Sequence, residues 1–355
     1  MRIGILTGGG DAPGLNAVIR AVVKAAANQG IETIGIEDGF RGLVGSNPCR
    51  TLTLSDVTGI LRQGGTILGT TNHGNPLSFP QPNGEMEDVS AACVERLGAL
   101  SIDTLIAVGG DGTLAIAYEF HKRGVPIIGI PKTIDNDVVE TAATVGFDTA
   151  VAIATAAVDR LHTTAEAHHR IMVLEVMGRY AGWIALHAGI AGGADIILLP
   201  EIPYILERIA ERAVMREKMG ARFSIIVAAE GAAAVGGQYA IAERGSAGAA
   251  ERLGGIGAQV AAELEQLTGR ESRSVLLGHL QRGGEPTSVD RILGTRFGTT
   301  AVELAVAGQH GMMVSSCASR IASVPLERVV GRTKLVPPDS DTVRSARAAG
   351  IEFGG

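Results

Sequence analysis

Short runs of β-branched and other apolar residues alternate along this chain with longer stretches in which Ala and Leu recur at helical spacing. The short runs predict strands at 2–6, 33–36, 104–108, 126–130, 171–176, 196–199, 224–229 and 274–277. The periodic stretches predict helices at about 14–29, 54–63, 87–99, 112–122, 148–165, 179–191, 203–219, 250–268 and 287–306. Strand and helix in regular alternation make parallel sheets with crossover helices, a doubly wound α/β fold. A strand followed by a glycine-rich elbow recurs after Leu6, Val108 and Val176, as two similar sheets facing a shared cleft would produce. Breaks in the pattern fall at the charge-free segment 74–84 and at the Gly/Ala-rich stretch 231–248, which is expected to be a surface loop.

A length of 355 residues fits about two domains. The 49 glycines are about twice the ordinary share, yet with no Gly-X-Y period and only 13 prolines they describe neither collagen nor a linker. They imply many close backbone approaches. With 31 basic and 37 acidic residues, a net charge of −6 and few aromatics, the chain lacks the basic stripe and stacking platform of a nucleic-acid binder. Cys49, Cys93 and Cys317 are odd in number and form no CxxC, which argues against a disulfide scaffold or thiolate zinc site and for a cytoplasmic protein. The uncharged run 180–194 is interrupted by glycine and stops at Asp195, so no membrane span is expected.

Three segments carry candidate chemistry. The first elbow, Thr7-Gly8-Gly9-Gly10-Asp11-Ala12-Pro13-Gly14, fits neither GxGxxG nor GxxxxGK[ST]. It still lets backbone N–H groups approach an anion at the start of a helix, although a tight βα turn would look similar. The second, Gly109-Gly110-Asp111-Gly112-Thr113, sets one carboxylate among glycines where open α/β sheets bind ligands; beside polyphosphate such an acid works through Mg²⁺. The third, Pro131-Lys132-Thr133-Ile134-Asp135-Asn136-Asp137, offers two carboxylates at i and i+2 on one face of an extended segment. One of them can take a proton from an attacking alcohol; a solvated acidic turn is the alternative. Arg170, Arg179, Arg273 and Arg282 fall near predicted strand ends, where guanidinium forks suit phosphate, and Glu230 ends another strand, placed to accept from sugar hydroxyls. His162, His168 and His169 lack zinc-site spacing.

Together these segments resemble the phosphofructokinase family related to bacterial 6-phosphofructokinase: 3–16, the GGDGT elbow, TIDND, Met177-Gly178-Arg179 and Gly278-His279-Leu280-Gln281-Arg282-Gly283-Gly284 occur in the family's order. The resemblance implies two Rossmann-like domains, residues 1–146 with about 282–331 for the phosphoryl donor and about 147–281 with 332–355 for fructose 6-phosphate, and an active site in the cleft between them. It implies phosphoryl transfer to the 1-hydroxyl of fructose 6-phosphate, with Asp135 as general base supported by Thr133 and Asp137. Asp111 would hold Mg²⁺, and the Gly9 backbone and Arg179 would stabilise the transferred group. The donor would meet Gly9, Gly10, Asn72, His73, Gly110, Asp111, Gly112, Thr113 and Lys132. The sugar phosphate would meet Thr133, Asp135, Asp137, Met177, Gly178, Arg179, Glu230, His279 and Arg282, completed by Arg170 and Arg273 reaching a neighbouring subunit's site in a homodimer or homotetramer.

The chain departs from the family where relatives carry a basic residue and it has Asn72-His73. Gly112 resembles ATP users and Lys132 resembles pyrophosphate users; the room at glycine favours ATP. A pyrophosphate-dependent enzyme, a kinase of another sugar phosphate such as sedoheptulose 7-phosphate, and a non-catalytic sensor are the alternatives. Arg20 and Lys24 match the family's effector-site bases, which makes an allosteric enzyme an expectation too.

Overall fold

A computed structural model describes residues 1–45, 48–81, 83–238, 240–243 and 252–355. In chain order the elements begin with β1 (Arg2–Thr7), α1 (Leu15–Ala27), β2 (Glu32–Ile36), β3 (Cys49–Leu52), β4 (Phe79–Pro80), β5 (Met86–Glu87), α2 (Ser90–Ala99), β6 (Thr104–Gly109), α3 (Asp111–Lys122) and β7 (Ile127–Pro131). They continue with α4 (Phe147–His168), β8 (Ile171–Val176), α5 (Trp183–Ala191), β9 (Ile196–Leu198), α6 (Leu206–Lys218), β10 (Ser224–Ala229), β11 (Ile241–Glu243), β12 (Arg252–Leu253), α7 (Ile256–Thr268) and β13 (Ser272–Leu276). The last are α8 (Ser288–Val306), β14 (Met312–Cys317), β15 (Arg320–Pro325) and α9 (Asp341–Ala348). Among the described residues no helix is long and apolar enough to cross a membrane.

The chain divides into two units. Unit 1 comprises Met1–Ile134, Val138–Thr149 and Arg282–Thr333; unit 2 comprises Asp135–Asp137, Ala150–Gln281 and Lys334–Gly355. Unit 1 is built on a seven-stranded sheet in the order β15-β14-β7-β6-β1-β2-β3, parallel in the middle and antiparallel at both outer pairs. Its central strands β6 and β7 are buried over their whole length and β1 from Ile3 onward, as strands covered on both faces must be. One apolar layer joins α1 and α8 to the sheet through Leu15, Val18, Val22 and Phe297; the opposite layer gathers Phe40, Leu97, Leu114 and Phe120. Because β1 lies between β6 and β2, its carboxyl end is the point at which the strand order reverses, where such sheets bind ligands. Unit 2 carries a parallel four-stranded sheet, β13-β8-β10-β9, with Ile209, Val260 and Leu264 of α6 and α7 packed on one face.

Several expected elements are different. No α-helix covers 54–63: Asp56 accepts the Thr53 backbone N–H at 2.7 Å, Gly59 sits at φ 80°, and only a 3₁₀ turn at Ile60–Arg62 remains. Those local bonds compete with the helical ladder. The helix expected over 250–268 starts at Ile256, because Arg252 and Leu253 pair with β11 and Gly254 and Gly255 hold φ of 147° and 96°. Residues 250 and 251, and 239 and 244–248 of the expected loop, lie outside the described residues. The helix expected over 179–191 starts at Trp183, and β3, β14, β15 and α9 were not foreseen.

Asp290 pins unit 1 together. Fully buried in the first turn of α8, its carboxylate accepts the Gly146 N–H at 2.9 Å, the Thr149 N–H at 2.8 Å and the Thr149 hydroxyl at 2.5 Å. Burial pushes its carboxyl above the ordinary range, against the pull of those bonds. Asp290→Ala strands two buried amide donors and leaves a void, so it is expected to cost about 3 kcal/mol, read by denaturant unfolding. A loss under about 1 kcal/mol would show that water takes over the donors.

Candidate functional site

Three of the motifs meet at the carboxyl ends of adjacent parallel strands in unit 1. Thr7 pairs with Val108, and Gly109 pairs with Pro131, so β1, β6 and β7 end side by side at the two elbows and at Lys132. Gly8 donates its N–H to the Val108 carbonyl at 2.9 Å, and Lys132 donates its own to Gly109 at 2.9 Å. Thr113 explains the glycines behind it: a β-carbon on Gly109 would lie 2.3 Å from the Thr113 β-carbon, and one on Gly8 would lie 2.7 Å from its hydroxyl. Thr113 is 7% exposed, so it packs the elbows together from below. Gly9, at φ 78°, turns the chain in a region that side chains disfavour.

The turn at 69–73 is fastened to the first elbow. Thr7 donates its hydroxyl to the Gly69 carbonyl at 2.7 Å, Thr70 donates to the Gly9 carbonyl at 2.6 Å, and Gly9 donates its N–H to Thr71 at 3.1 Å. That last bond must yield or be shared before the Gly9 N–H can serve a phosphate. Asn72 and His73 are both exposed at this turn. Asp111 opens α3 with its carboxylate exposed and one oxygen capping the Gly112 N–H at 2.7 Å. A β-carbon on Gly112 would meet nothing within 4 Å. An exposed carboxylate at a helix N-terminus is a hard oxygen donor of the kind Mg²⁺ takes beside phosphate and water.

Lys132, expected to meet the donor, reaches the glycine elbow from the end of β7. It is 3% exposed, and its ammonium donates to the Gly8 carbonyl at 3.0 Å and to the Gly10 carbonyl, drawing the glycine elbow onto β7. Arg282 is likewise in unit 1, donating to the Asp11 carbonyl at 3.0 Å and filling the space over Gly10.

After Ile134 the chain enters unit 2 for three residues, Asp135–Asp137, and returns. The segment is a turn and not the extended strand that put both carboxylates on one face, because Asn136 adopts φ 51°, which asparagine tolerates better than most residues. It is not the solvated turn either, since Ile134 is fully buried and Asn136 is 4% exposed. The Thr133 carbonyl accepts the Thr144 hydroxyl at 2.7 Å, and Asn136 Oδ1 accepts the Lys334 ammonium at 2.9 Å. Lys334 carried no expectation, because it sits in a stretch without periodic pattern. Burial pulls its ammonium down to about 8, opposed by the Asp137 carboxylate. Between pH 8 and the ordinary lysine value of 10.5 the unfolded chain therefore holds a proton that the folded chain has lost, and stability rises with pH across that window. Denaturant titrations at pH 7.5 and 9.5 are expected to show this gain in the parent and not in Lys334→Met.

In unit 2, Met177, Gly178 and Arg179 follow β8 and Glu230 follows β10, its parallel neighbour. Glu230 donates its N–H to Val176 at 2.9 Å, Gly231 donates to Gly178 at 3.1 Å, and the Arg179 guanidinium lies 5.3 Å from the Tyr180 ring centre. Arg170 precedes β8 and Arg273 is near the start of β13, both at the amino ends of those strands. A six-residue strand is about 20 Å long, so Arg170, just before β8, stands well apart from Arg179, beyond its end. Arg170 pairs with Glu271 at 2.7 Å, and Arg273 pairs with Glu271 at 2.5 Å and with Glu265 at 3.4 Å. His279 is exposed.

The phosphofructokinase family model matches residues 2–305. The ATP-dependent 6-phosphofructokinase of Chloroflexus aurantiacus is 54% identical over 355 residues, covering 99% of this chain and 98% of that one. The pyrophosphate–fructose 6-phosphate 1-phosphotransferase of Amycolatopsis methanolica is 49% identical over 344 residues, covering 96% and 97%. Among solved structures, Pichia pastoris phosphofructokinase in the T-state matches with a TM-score of 0.81 at 30% identity, over 99% of this chain and 36% of that one. The pyrophosphate-dependent phosphofructokinase of Nitrosospira multiformis matches over 100% of this chain and 92% of that one, with a TM-score of 0.82 at 20% identity, a likeness of fold. Motifs, sheet order and these matches agree: the chain is a phosphotransferase and belongs to the phosphofructokinase family.

Proposed function

We propose that this chain acts as an ATP-dependent 6-phosphofructokinase, with the elbows of unit 1 holding the triphosphate and Asp135 taking the proton from the 1-hydroxyl of fructose 6-phosphate. The observation that carries the donor reading is the open space at Gly112 beside the exposed carboxylate of Asp111, which leaves room for an α-phosphate and nucleoside. Lys132, the residue that suggested pyrophosphate, donates instead to the elbow's own carbonyls. Relatives named for both donors stand at similar identity, so this local geometry weighs more than the chain-wide likeness.

As the proton passes to Asp135, the sugar oxygen forms its bond to the terminal phosphorus and the bond from that phosphorus to the β-phosphate oxygen breaks, releasing ADP. Arg179 and backbone N–H groups of the first elbow offset the charge that spreads over the transferred group. Asp111 would hold Mg²⁺, which would supply the positive charge that neutralises the donor phosphates. Glu230 accepts from sugar hydroxyls, and Met177 and Gly178 shape the same side.

Arg170 and Arg273 serve a second copy of the chain in this reading. They stand about a strand length from Arg179 and Glu230, too far for one small ligand to touch both sets within unit 2. β13 is the outer strand of its sheet, and Leu276 at its carboxyl end and Leu280 in the turn beyond are 59% and 69% exposed, which suits a partner surface. The reading is tested by a matrix of Mg-ATP or pyrophosphate against fructose 6-phosphate or sedoheptulose 7-phosphate. ATP with fructose 6-phosphate should turn over fastest; a higher rate with pyrophosphate would overturn the donor assignment, and ligand binding without turnover would favour a sensor.

A further inference from the structure

Lys334 stands outside every motif, yet more bonds converge on it than on its neighbours. Its backbone N–H donates to the Asp137 carbonyl at 2.7 Å and its ammonium to Asn136 Oδ1 at 2.9 Å. Its carbonyl accepts the Trp183 indole N–H at 2.8 Å, and the ammonium lies 5.7 Å from that ring's centre. Two residues on, Val336 donates its N–H to Glu201 at 2.8 Å, and Glu201 also accepts the Gly182 N–H at 3.0 Å, just before α5. Residues 334–336 thus form a strap that ties the turn 135–137 to the start of α5, all within unit 2.

We propose that Lys334 is a positioning residue for the general base: its ammonium fixes the Asn136 turn and offsets the charge of the flanking carboxylates, so that Asp135 is presented ionised and in one orientation. The inference rests on the reading of Asp135 as the base. Asn136 is the pivot of this turn. Its left-handed backbone decides where the side chains on either side of it point, and its side-chain oxygen accepts the Lys334 ammonium. Two carboxylates separated by one residue repel when both are ionised, and a buried cation beside them counters that repulsion. The pull of Asp137 on the Lys334 proton is the same interaction seen from the cation's side.

The experiment uses the full chain with Lys334→Met, which keeps the length of the side chain and its contact with the indole, and with Asn136→Gly, which removes the acceptor while glycine accepts the backbone conformation. Each is expected to lower kcat for fructose 6-phosphate about tenfold to a hundredfold, with KM for Mg-ATP within about twofold of the parent. The double variant is expected to be about as slow as the slower single one, because both changes break the same bond. Singles that melt like the parent and keep its kcat, or losses that multiply in the double variant, would overturn the inference. Should Lys334→Met fail to fold, Asn136→Gly decides alone: reduced kcat with parental melting supports the inference, and unchanged kcat overturns it. Asp135→Asn, assayed in parallel, separates the two readings. If it is inactive while Lys334→Met is fully active, only the role of Lys334 falls; if it is fully active, the base assignment falls and Lys334 has no base to position.

Discussion

Asp135→Asn is expected to leave a folded protein whose kcat is about a thousandfold lower, with KM for both substrates within about threefold. Asparagine has nearly the shape of aspartate and keeps its hydrogen-bonding reach, but it cannot take the hydroxyl proton. The surroundings do not depend on that charge for their shape: Ile134 is fully buried, the Thr133 carbonyl is held by Thr144, and Asn136 is held by Lys334. Binding is therefore retained while the transition state loses its proton acceptor, the signature of an interaction made in the reacting complex. A coupled assay for fructose 1,6-bisphosphate reads the change, and a kcat within about tenfold of the parent would mean that another group takes the proton.

The second large effect concerns the donor. Gly112→Asp places a carboxylate in the one position of the elbow where a side chain meets nothing, next to Asp111. That carboxylate and an α-phosphate about 4 Å away would repel by about 4 kcal/mol at the dielectric of a protein surface, and screening by water and salt roughly halves this. KM for Mg-ATP is therefore expected to rise about thirtyfold or more. Pyrophosphate, which has no α-phosphate or nucleoside to seat there, should lose less. Because the position is exposed and open, melting should stay close to the parent's. Equal losses with both donors would indicate that Gly112 serves the backbone of α3 and not the room for a nucleotide.

The elbows were legible in sequence because their chemistry is local. Glycines at the ends of apolar strands announce close approach, and the structure shows what approaches: the Thr113 side chain under Gly8 and Gly109. Strands β1, β6, β7, β8 and β10 were legible for a related reason, each holding a run of three or more consecutive apolar or glycine residues. β14 was not, although Met313 and Val314 are fully buried, because Ser315 and Ser316 interrupt its apolar run; Ser315 is 2% exposed, its hydroxyl bonded to the Glu140 carbonyl. Helix α9 buries only Val343 and Ala346, too few positions to show a period. The segment 54–63 erred in the opposite direction, since Val57 and Ile60 are buried at helical spacing while Leu54 is 52% exposed and Gly59 breaks the backbone.

Long-range partners were beyond the sequence altogether. Spacing cannot show that the ammonium of the lysine preceding Thr-Ile-Asp-Asn-Asp bonds to carbonyls 124 and 122 residues away. Nor can it show that Arg282 lies against Gly10 and Asp11, the latter 271 residues earlier in the chain. Lys334 and Asp290 gave no signal, because a buried charge is identified by the donors and acceptors gathered around it, and these come from distant parts of the chain. Glu175 is a further instance: a carboxylate in the middle of an apolar strand, 2% exposed, that accepts the N–H groups of Gly255 and Gly257 where α7 begins.

The central claim, transfer of the terminal phosphoryl group of ATP to the 1-hydroxyl of fructose 6-phosphate, is tested most directly by following a label. Purified protein incubated with Mg-ATP labelled in the γ-phosphate and with fructose 6-phosphate should place the label on carbon 1 of a sugar bisphosphate, one equivalent for each ADP formed. Label released as inorganic phosphate, or found at another position of the sugar, would contradict the account.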